Sequence, residues 1–306
     1  MSYKVPAKVK IVEVGPRDGL QNELQPVPTT IKIELINKLS DTGLSVIECT
    51  SFVSPKWIPQ LHDAKEVMAA INQHNNIIYP ALVPNIQGLN DAIAAKAKTI
   101  AVFTAATDAF TQKNINCSVN DSLTNISEII NIATAKNIAV RGYISCTLGC
   151  PYQGKVEPAA VVKIAKALYA MGCYEISLGD TIGVGTPIQA ADLVLAVSNE
   201  VPINKLAVHF HDTYGQALAN IYACLNAGVT TIDASIAGLG GCPYARGASG
   251  NVATEDVVYM LNGLGIATGV DLNSLLTVTE FVSNYLGHPI RSKVAAAYLG
   301  KKLSNS

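Results

Sequence analysis

Charge is scarce in this chain of 306 residues: 22 Lys and Arg stand against 23 Asp and Glu, a formal net charge of −1 with only 15% charged residues. The basic residues are dispersed, so the electrostatic footprint of a nucleic-acid-binding surface is missing. Long apolar runs are missing too: none reaches the roughly 18 residues that cross a bilayer. The first residues, "MSYKVPAKVKIVEVG", hold neither the apolar core of a signal peptide nor an Arg/Ser-rich transit segment, and the cytoplasm is the expected compartment. Seven cysteines, an odd number spread along a large chain, do not make a disulfide scaffold and read as reduced thiols. Cys146 and Cys150 ("CTLGC") lack the second pair that a structural zinc site needs, so two buried thiols are expected there. No low-complexity segment or linker breaks the chain.

What is present is apolar material arranged in alternation. At 49% apolar residues the chain has enough to build a large core, and disorder is excluded as its general state. Eight β-rich runs recur: 9–15, 45–50, 76–83, 99–105, 138–146, 174–179, 206–212 and 230–238. Helix-period stretches lie between them, such as "IKIELINKLSDTG" (31–43) and "PAAVVKIAKALYAMG" (158–172), the latter ending on a Gly in capping position. Eight strands, continuous enough to be buried on both faces and each followed by a helix, predict an α/β fold of the (β/α)8 TIM-barrel kind. An open doubly wound sheet is the rival, but no Gly-rich dinucleotide turn follows the first strand. The expected organisation is a single domain over 1–306: a barrel over about 9–265, then added helices over about 270–306.

Active sites of this fold sit at the C-terminal ends of the strands. The polar residues at those ends are Arg17 and Asp18, Glu48, Asn85, Cys146, Asp180, then His209 and His211 in "AVHFHDTYG". Each has a bland reading alone: Asp18 can cap a turn, Glu48 can pair Arg17, and a core histidine is usually satisfied by hydrogen bonds. Their coincidence on one rim is harder to dismiss. His209 and His211 are two residues apart, so on a strand their rings share a face. With Asp18 they suit a catalytic divalent ion with open positions, compatible with Mg²⁺, Mn²⁺, Fe²⁺ or Zn²⁺. The loop "GLGGCPYARGASGN" (238–251) packs five glycines around Cys242 without P-loop spacing. It reads as a mobile lid carrying a thiol, against a structural turn with a buried cysteine.

Six long stretches carry a resemblance: "VEVGPRDGLQNE" (12–23), "GLSVIECTSFVSPKWIPQ" (43–60), "RGYISCTLGCPYQGK" (141–155), "GCYEISLGDTIGVGTP" (172–187), "HFHDTYGQALAN" (209–220) and "AGLGGCPYARGASGNVATEDVVYML" (237–261). Over about residues 9–265 the chain resembles the 3-hydroxy-3-methylglutaryl-coenzyme A lyase family, within a superfamily of metal-dependent barrels named for an Asp-Arg-Glu set. The resemblance implies cleavage of an acyl-CoA thioester, 3-hydroxy-3-methylglutaryl-CoA, to acetyl-CoA and acetoacetate, a step of leucine degradation and ketone-body formation. It implies Mg²⁺ or Mn²⁺ held by Asp18, His209, His211 and Asn251. It casts Arg17 as the catalytic arginine, Glu48 as its supporting acid, Cys242 as the lid cysteine, and Asp18 or His209 as the base. It further implies a homo-oligomer, a dimer, that engages neither nucleic acid nor membrane. The chain departs from the family at Phe210, where members often carry Cys; that side chain is expected to point away from the ligands. The alternatives are a lyase for longer 3-hydroxy-3-alkylglutaryl-CoA, a synthase condensing acetyl-CoA with a 2-oxo acid, and a catalytically silent barrel that only binds. Synthase chains usually continue well past the barrel and lack the "GGCPYARGASGN" stretch.

Overall fold

The computed structural model describes residues 5–241, 249–287 and 291–304. Its strands are β1 (Lys10–Glu13), β2 (Val46–Ile47), β3 (Thr50–Ser51), β4 (Ala81–Leu82), β5 (Thr99–Ala105), β6 (Ala139–Ser145), β7 (Glu175–Asp180), β8 (Leu206–Phe210) and β9 (Thr231–Ala234). All pairings between neighbours are parallel, in the order β2-β1-β9-β8-β7-β6-β5-β4-β3. The two ends of that order, β2 and β3, are pieces of one extended segment. Glu48 N–H donates to Glu13 O at 2.8 Å on one side, and Cys49 N–H to Pro80 O at 3.0 Å on the other. The sheet therefore closes on itself as an eight-membered TIM barrel.

The predicted strands match in place, and the differences have local causes. The run at 99–105 coincides with β5, and those at 138–146, 174–179 and 206–212 overlap β6, β7 and β8. The run at 76–83 shrinks to β4 because Pro80 can accept from Cys49 but has no N–H to return to the neighbouring segment. That missing donor faces the break between β2 and β3. The run at 230–238 stops at Ala234, since Ala237 turns left-handed at φ 58°.

The helices are α1 (Thr29–Ser40), α2 (Ala64–Ala70), α3 (Ile86–Ala94), α4 (Asp108–Ile115), α5 (Val119–Ala135), α6 (Pro158–Met171), α7 (Pro187–Ser198), α8 (Ala217–Ala227), α9 (Thr254–Gly263), α10 (Leu272–Leu286) and α11 (Lys293–Ser304). α6 fills the predicted 158–172 span: Pro158 opens it and Gly172, at φ 110°, closes it. α10 packs against α1 and α9, and α11 against α9 and α10. Close approach of chain at 43 and 269 admits α10: a Cβ on Gly43, at φ 88°, would overlap the Gly269 carbonyl. No helix among the described residues is long and apolar enough to cross a membrane.

The main apolar core lies between barrel and helices, where Leu35, Ile36, Leu39, Ile129, Val161, Ile164, Leu168, Leu193 and Ile221 meet the outward faces of the strands. Inside the barrel, Val12, Val14 and Val46 form one small cluster and Leu82, Ala101 and Tyr143 another. Much of the remaining interior is taken by paired charges. Lys10 Nζ reaches Glu175 at 2.6 Å, Arg141 Nε reaches Glu175 at 2.8 Å, and the Arg141 fork holds both oxygens of Asp233 at 3.0 and 2.7 Å. A file of paired charges thus runs up the barrel towards the rim that bears His209.

Candidate active site

Beyond β1 the chain makes a π-helical turn, Gly15–Gly19, in which the amides of Arg17, Asp18 and Gly19 all donate to Val14 O at 3.2, 2.7 and 3.1 Å. Only glycine fits at both ends: a Cβ on Gly15 would stand 2.6 Å from Glu13 Oε1, and one on Gly19 2.8 Å from Leu239 Cβ and Ser235 Oγ. The turn places Arg17 and Asp18 side by side at the mouth. Arg17 Nε and Nη2 fork onto Glu48 Oε1 and Oε2 at 3.0 and 3.3 Å, while Nη1 donates to Asp18 Oδ1 at 2.6 Å. Burial alone would lower the pKa of Arg17, but the Glu48 and Asp18 charges outweigh it and hold the guanidinium firmly ionised. Glu48 is held in turn by the Tyr143 hydroxyl, which donates to Oε2 at 2.5 Å. The Tyr143 ring carries Arg17 Cζ at 5.5 Å from its centroid and Arg141 Cζ at 4.8 Å.

Asp18, His209 and His211 offer ligand atoms that lie within 4.8 Å of one another, which makes them a potential metal-holding group. Burial would raise the Asp18 pKa, yet Arg17, His209, His211 and the Asn251 amide bring it down to about 2. His209 Nδ1 lies 3.3 Å from Asp233 Oδ2, and its Nε2 lies 3.8 Å from Asp18 Oδ2. The carboxylate behind the ring therefore turns Nε2 to the site, as second carboxylates do for metal-binding histidines. His211 lies just past β8, where its N–H bonds Asp180 O at 3.2 Å. Its ring centroid is 5.6 Å from that of His209. His211 Nδ1 is buried without a hydrogen-bond partner. Burial, chiefly, and then the neighbouring His209 lower its pKa to about 4, so the ring is neutral with a lone pair to give. Asn251 bridges to His211 through the backbone, and its Nδ2 donates to Asp18 Oδ2 at 2.8 Å and Leu239 O at 3.2 Å. With Asp18 ionised and His211 neutral, the donor set of imidazole nitrogen and anionic oxygen fits a divalent cation.

The other rim residues do structural work. The Asp180 carboxylate accepts from Val184 N–H at 3.2 Å and Gly185 N–H at 2.7 Å, capping the turn after β7. Asn85 caps α3 by accepting from Gly88 N–H at 2.9 Å. Cys146 and Cys150 are buried in the apolar core, Cys146 at φ 58° and Cys150 as acceptor of the Thr107 hydroxyl at 3.1 Å. Phe210 is buried in the core away from the histidines. Cys242 and Gly247 lie outside the described residues. Arg141, Tyr143 and Asp233 are absent from the sequence-derived set. Their signal was strand alternation: Arg141 and Tyr143 in "AVRGYIS", and Asp233 two residues after Thr231, share the inward face.

Comparison with known proteins matches residues 8–282 to the sequence profile of the HMGL-like family. The mitochondrial hydroxymethylglutaryl-CoA lyase of Gallus gallus is 59% identical over 292 residues, covering 95% of this chain and 98% of its own. The cytoplasmic 3-hydroxy-3-methylglutaryl-CoA lyase of Rattus norvegicus is 56% identical over 299 residues, covering 98% of this chain and 87% of its own. Among solved structures, hydroxymethylglutaryl-CoA lyase from Pseudomonas aeruginosa superposes with a TM-score of 0.95 at 54% identity, covering 97% of this chain and 99% of that one. An HMG-CoA lyase from Acinetobacter baumannii in complex with coenzyme A and 3-methylmalate gives 0.91 at 39% identity, covering 95% of each chain.

Proposed function

The chain belongs to the HMGL-like family, and from that premise we propose that it is a carbon–carbon lyase cleaving 3-hydroxy-3-methylglutaryl-CoA to acetyl-CoA and acetoacetate. The observation that carries the reading is the convergence on one rim of the Arg17–Glu48 fork and the Asp18, His209 and His211 donors. Asp18, His209, His211 and Asn251 would hold a divalent cation, Mg²⁺ or Mn²⁺, which would supply Lewis acidity toward the substrate's tertiary hydroxyl.

Cleavage removes the hydroxyl proton, breaks C2–C3, leaves a ketone at C3 and sends the electron pair into the thioester as an enolate. The proton falls to the Asp18–His209 pair, whose Oδ2 and Nε2 stand 3.8 Å apart. Arg17 hydrogen-bonds the thioester oxygen as charge develops on it, from a position fixed by two bonds to Glu48. Glu48 is an orienting group, and Tyr143 holds it. Cys242 delivers the proton that turns the enolate carbon into the methyl of acetyl-CoA. The homologous relatives include mitochondrial and cytoplasmic enzymes; the cytoplasm is proposed here, in keeping with six described cysteines that are not in disulfides. A homodimer is part of the same proposal, supported by Ile188 and Leu195, exposed on one face of α7.

The test is acetoacetate release from 3-hydroxy-3-methylglutaryl-CoA by the purified protein. Release is expected with Mg²⁺ or Mn²⁺ and is abolished by chelation. Release that survives full chelation overturns the metal's part, and none with either metal overturns the activity. Acetoacetate as product also separates cleavage from condensation onto a 2-oxo acid.

A further inference from the structure

Arg291 stands between α10 and α11, far in sequence from the rim. One of its nitrogens, Nη1, donates to two backbone carbonyls, those of Gly240 and Ser249, on either side of residues 242–248. The two chain ends meet there. Gly240 and Gly250 have φ of 123° and 83°, and a Cβ on Gly250 would overlap the Gly240 carbonyl. Asn251 follows at once and leans on the same ends: its Nδ2 bonds Leu239 O at 3.2 Å, and a Cβ on Gly240 would come within 2.6 Å of it.

Arg291 is itself anchored. Its N–H donates to Ala237 O at 3.3 Å. The next residue, Ser292, donates its hydroxyl to Asp256 Oδ1 at 2.7 Å, and the Lys293 and Val294 amides bond the same carboxylate at 3.1 and 2.9 Å. The guanidinium is thus presented from the α9–α11 junction to two carbonyls that converge on a single nitrogen. Removal of that guanidinium would leave the two oxygens facing each other as like dipole ends, without the donor they share.

We propose that Arg291 is a positioning residue for Asn251: by drawing both chain ends to one donor, it sets the Asn251 side chain against Asp18 and so completes the cation site. The proposal rests on the reading of Asn251 as a metal ligand given above. Both carbonyls use one nitrogen, so a lysine ammonium with its three donors can replace the arginine here, unlike at a forked carboxylate site.

The experiment titrates the full-length protein with Mn²⁺ in the absence of substrate, following free Mn²⁺ by electron paramagnetic resonance, with Tm measured on the same samples. Arg291→Ala is expected to weaken Mn²⁺ binding on the order of 10-fold, the usual scale for a group that orients a ligand. Arg291→Lys is expected to restore most of that loss. In an Asn251→Ala background, Arg291→Ala is expected to cost no further affinity. Arg291 is exposed, so its variants keep the fold. Wild-type binding matched by Arg291→Ala, with only Tm lowered, overturns this proposal alone. A full additional loss in the Asn251→Ala background overturns it too. Wild-type protein that binds no Mn²⁺ overturns the metal-site reading and this proposal with it.

Discussion

At Arg17, one guanidinium is divided between two carboxylates: the fork goes to Glu48 and the remaining arm to Asp18. Arg17→Gln removes the charge while keeping an amide donor of similar reach. Because charge reaches the thioester oxygen mainly in the transition state, kcat is expected to fall about 10²-fold or more with KM little changed. Steady-state kinetics on the acyl-CoA check it, and a change in KM alone moves Arg17 to substrate binding. Lysine does not rescue fully, having no planar fork for Glu48. These rim residues were legible because strand ends are where this fold keeps chemistry, and a pair two residues apart on a strand shares a face. One layer lower the signal failed: Asp233, Arg141 and Tyr143 sit mid-strand, where a lone charge in an apolar run does not reveal its partner across the barrel. Asp233 takes the Arg141 fork, the Ser177 hydroxyl at 2.8 Å and His209. Its pKa is held well down, burial being outweighed first by Arg141. Asp233→Asn therefore leaves Arg141 half-paired in a fully buried position. A loss of about 3–5 kcal/mol is expected in urea unfolding. Mn²⁺ affinity is expected to drop about 10–100-fold as His209 loses its orienting carboxylate.

The element that sequence reading drew least well is the strand-to-loop passage after β9. Two buried acids shape it, and among the described residues neither is paired with a cation. Glu13 Oε1 accepts the Gly15 and Ile236 amides at 2.7 and 2.8 Å, and Oε2 takes the Thr254 hydroxyl at 2.6 Å. Glu255 Oε1 takes the Ala237 amide at 2.8 Å and the Thr279 hydroxyl, while its Oε2 is buried without a partner. One acid thus ties the Arg17 turn, the end of β9 and the start of α9 together, and the other pins the left-handed Ala237. Alternation had extended the strand to 238 because it registers apolarity, not amides captured by a distant carboxylate. Pro80 shortened β4 by the same blindness to individual hydrogen bonds. Burial, chiefly, lifts Glu13 to about 7 and Glu255 to about 8, from an ordinary value of 4.5. Between 4.5 and those values the native state binds more protons than the unfolded chain, so stability falls as pH rises. Tm is therefore expected to decline from pH 6 to pH 9, and Glu255→Gln to flatten the decline by removing one of the two titrations. Thermal melts across that range decide it: an equally steep decline in Glu255→Gln removes this acid as a cause.

On the scale of the whole molecule, the candidate donors come from three strands that stand side by side although their residues are far apart in sequence. Asp18 follows β1, His209 and His211 close β8, and Asn251 follows β9, which lies between β1 and β8 in the sheet. Closure of the barrel is what makes them neighbours. The repeating strand–helix pattern made that closure legible from sequence; the separations it sets, such as 3.8 Å from His209 Nε2 to Asp18 Oδ2, were not. A cation held by these donors would join the first strand of the chain to the last two, which only the folded state brings together. By linkage, Mn²⁺ at 100 times its Kd is expected to stabilise the fold by about 2.7 kcal/mol. At about 2–4 °C per kcal/mol for a chain of this size, that is a rise of several degrees in Tm, reversed by chelation. His211→Ala is expected to abolish the rise. It deletes the imidazole whose Nδ1 is buried without a partner, so the apo protein is expected to lose little and the metal-loaded protein the whole increment. Acid should act in the same direction. The His211 pKa is lowered from 6.5 to about 4, so the unfolded chain binds the extra proton between those values. Stability from the neutral ring is complete above pH 6.5 and fades as pH falls through about 4, and the Mn²⁺ increment should fade with it as protons compete for the same nitrogen. Paired melts of wild type and His211→Ala, with Mn²⁺ and with chelator, at pH 7.5 and pH 5, test all three expectations; an Mn²⁺ increment that persists in His211→Ala places the cation elsewhere.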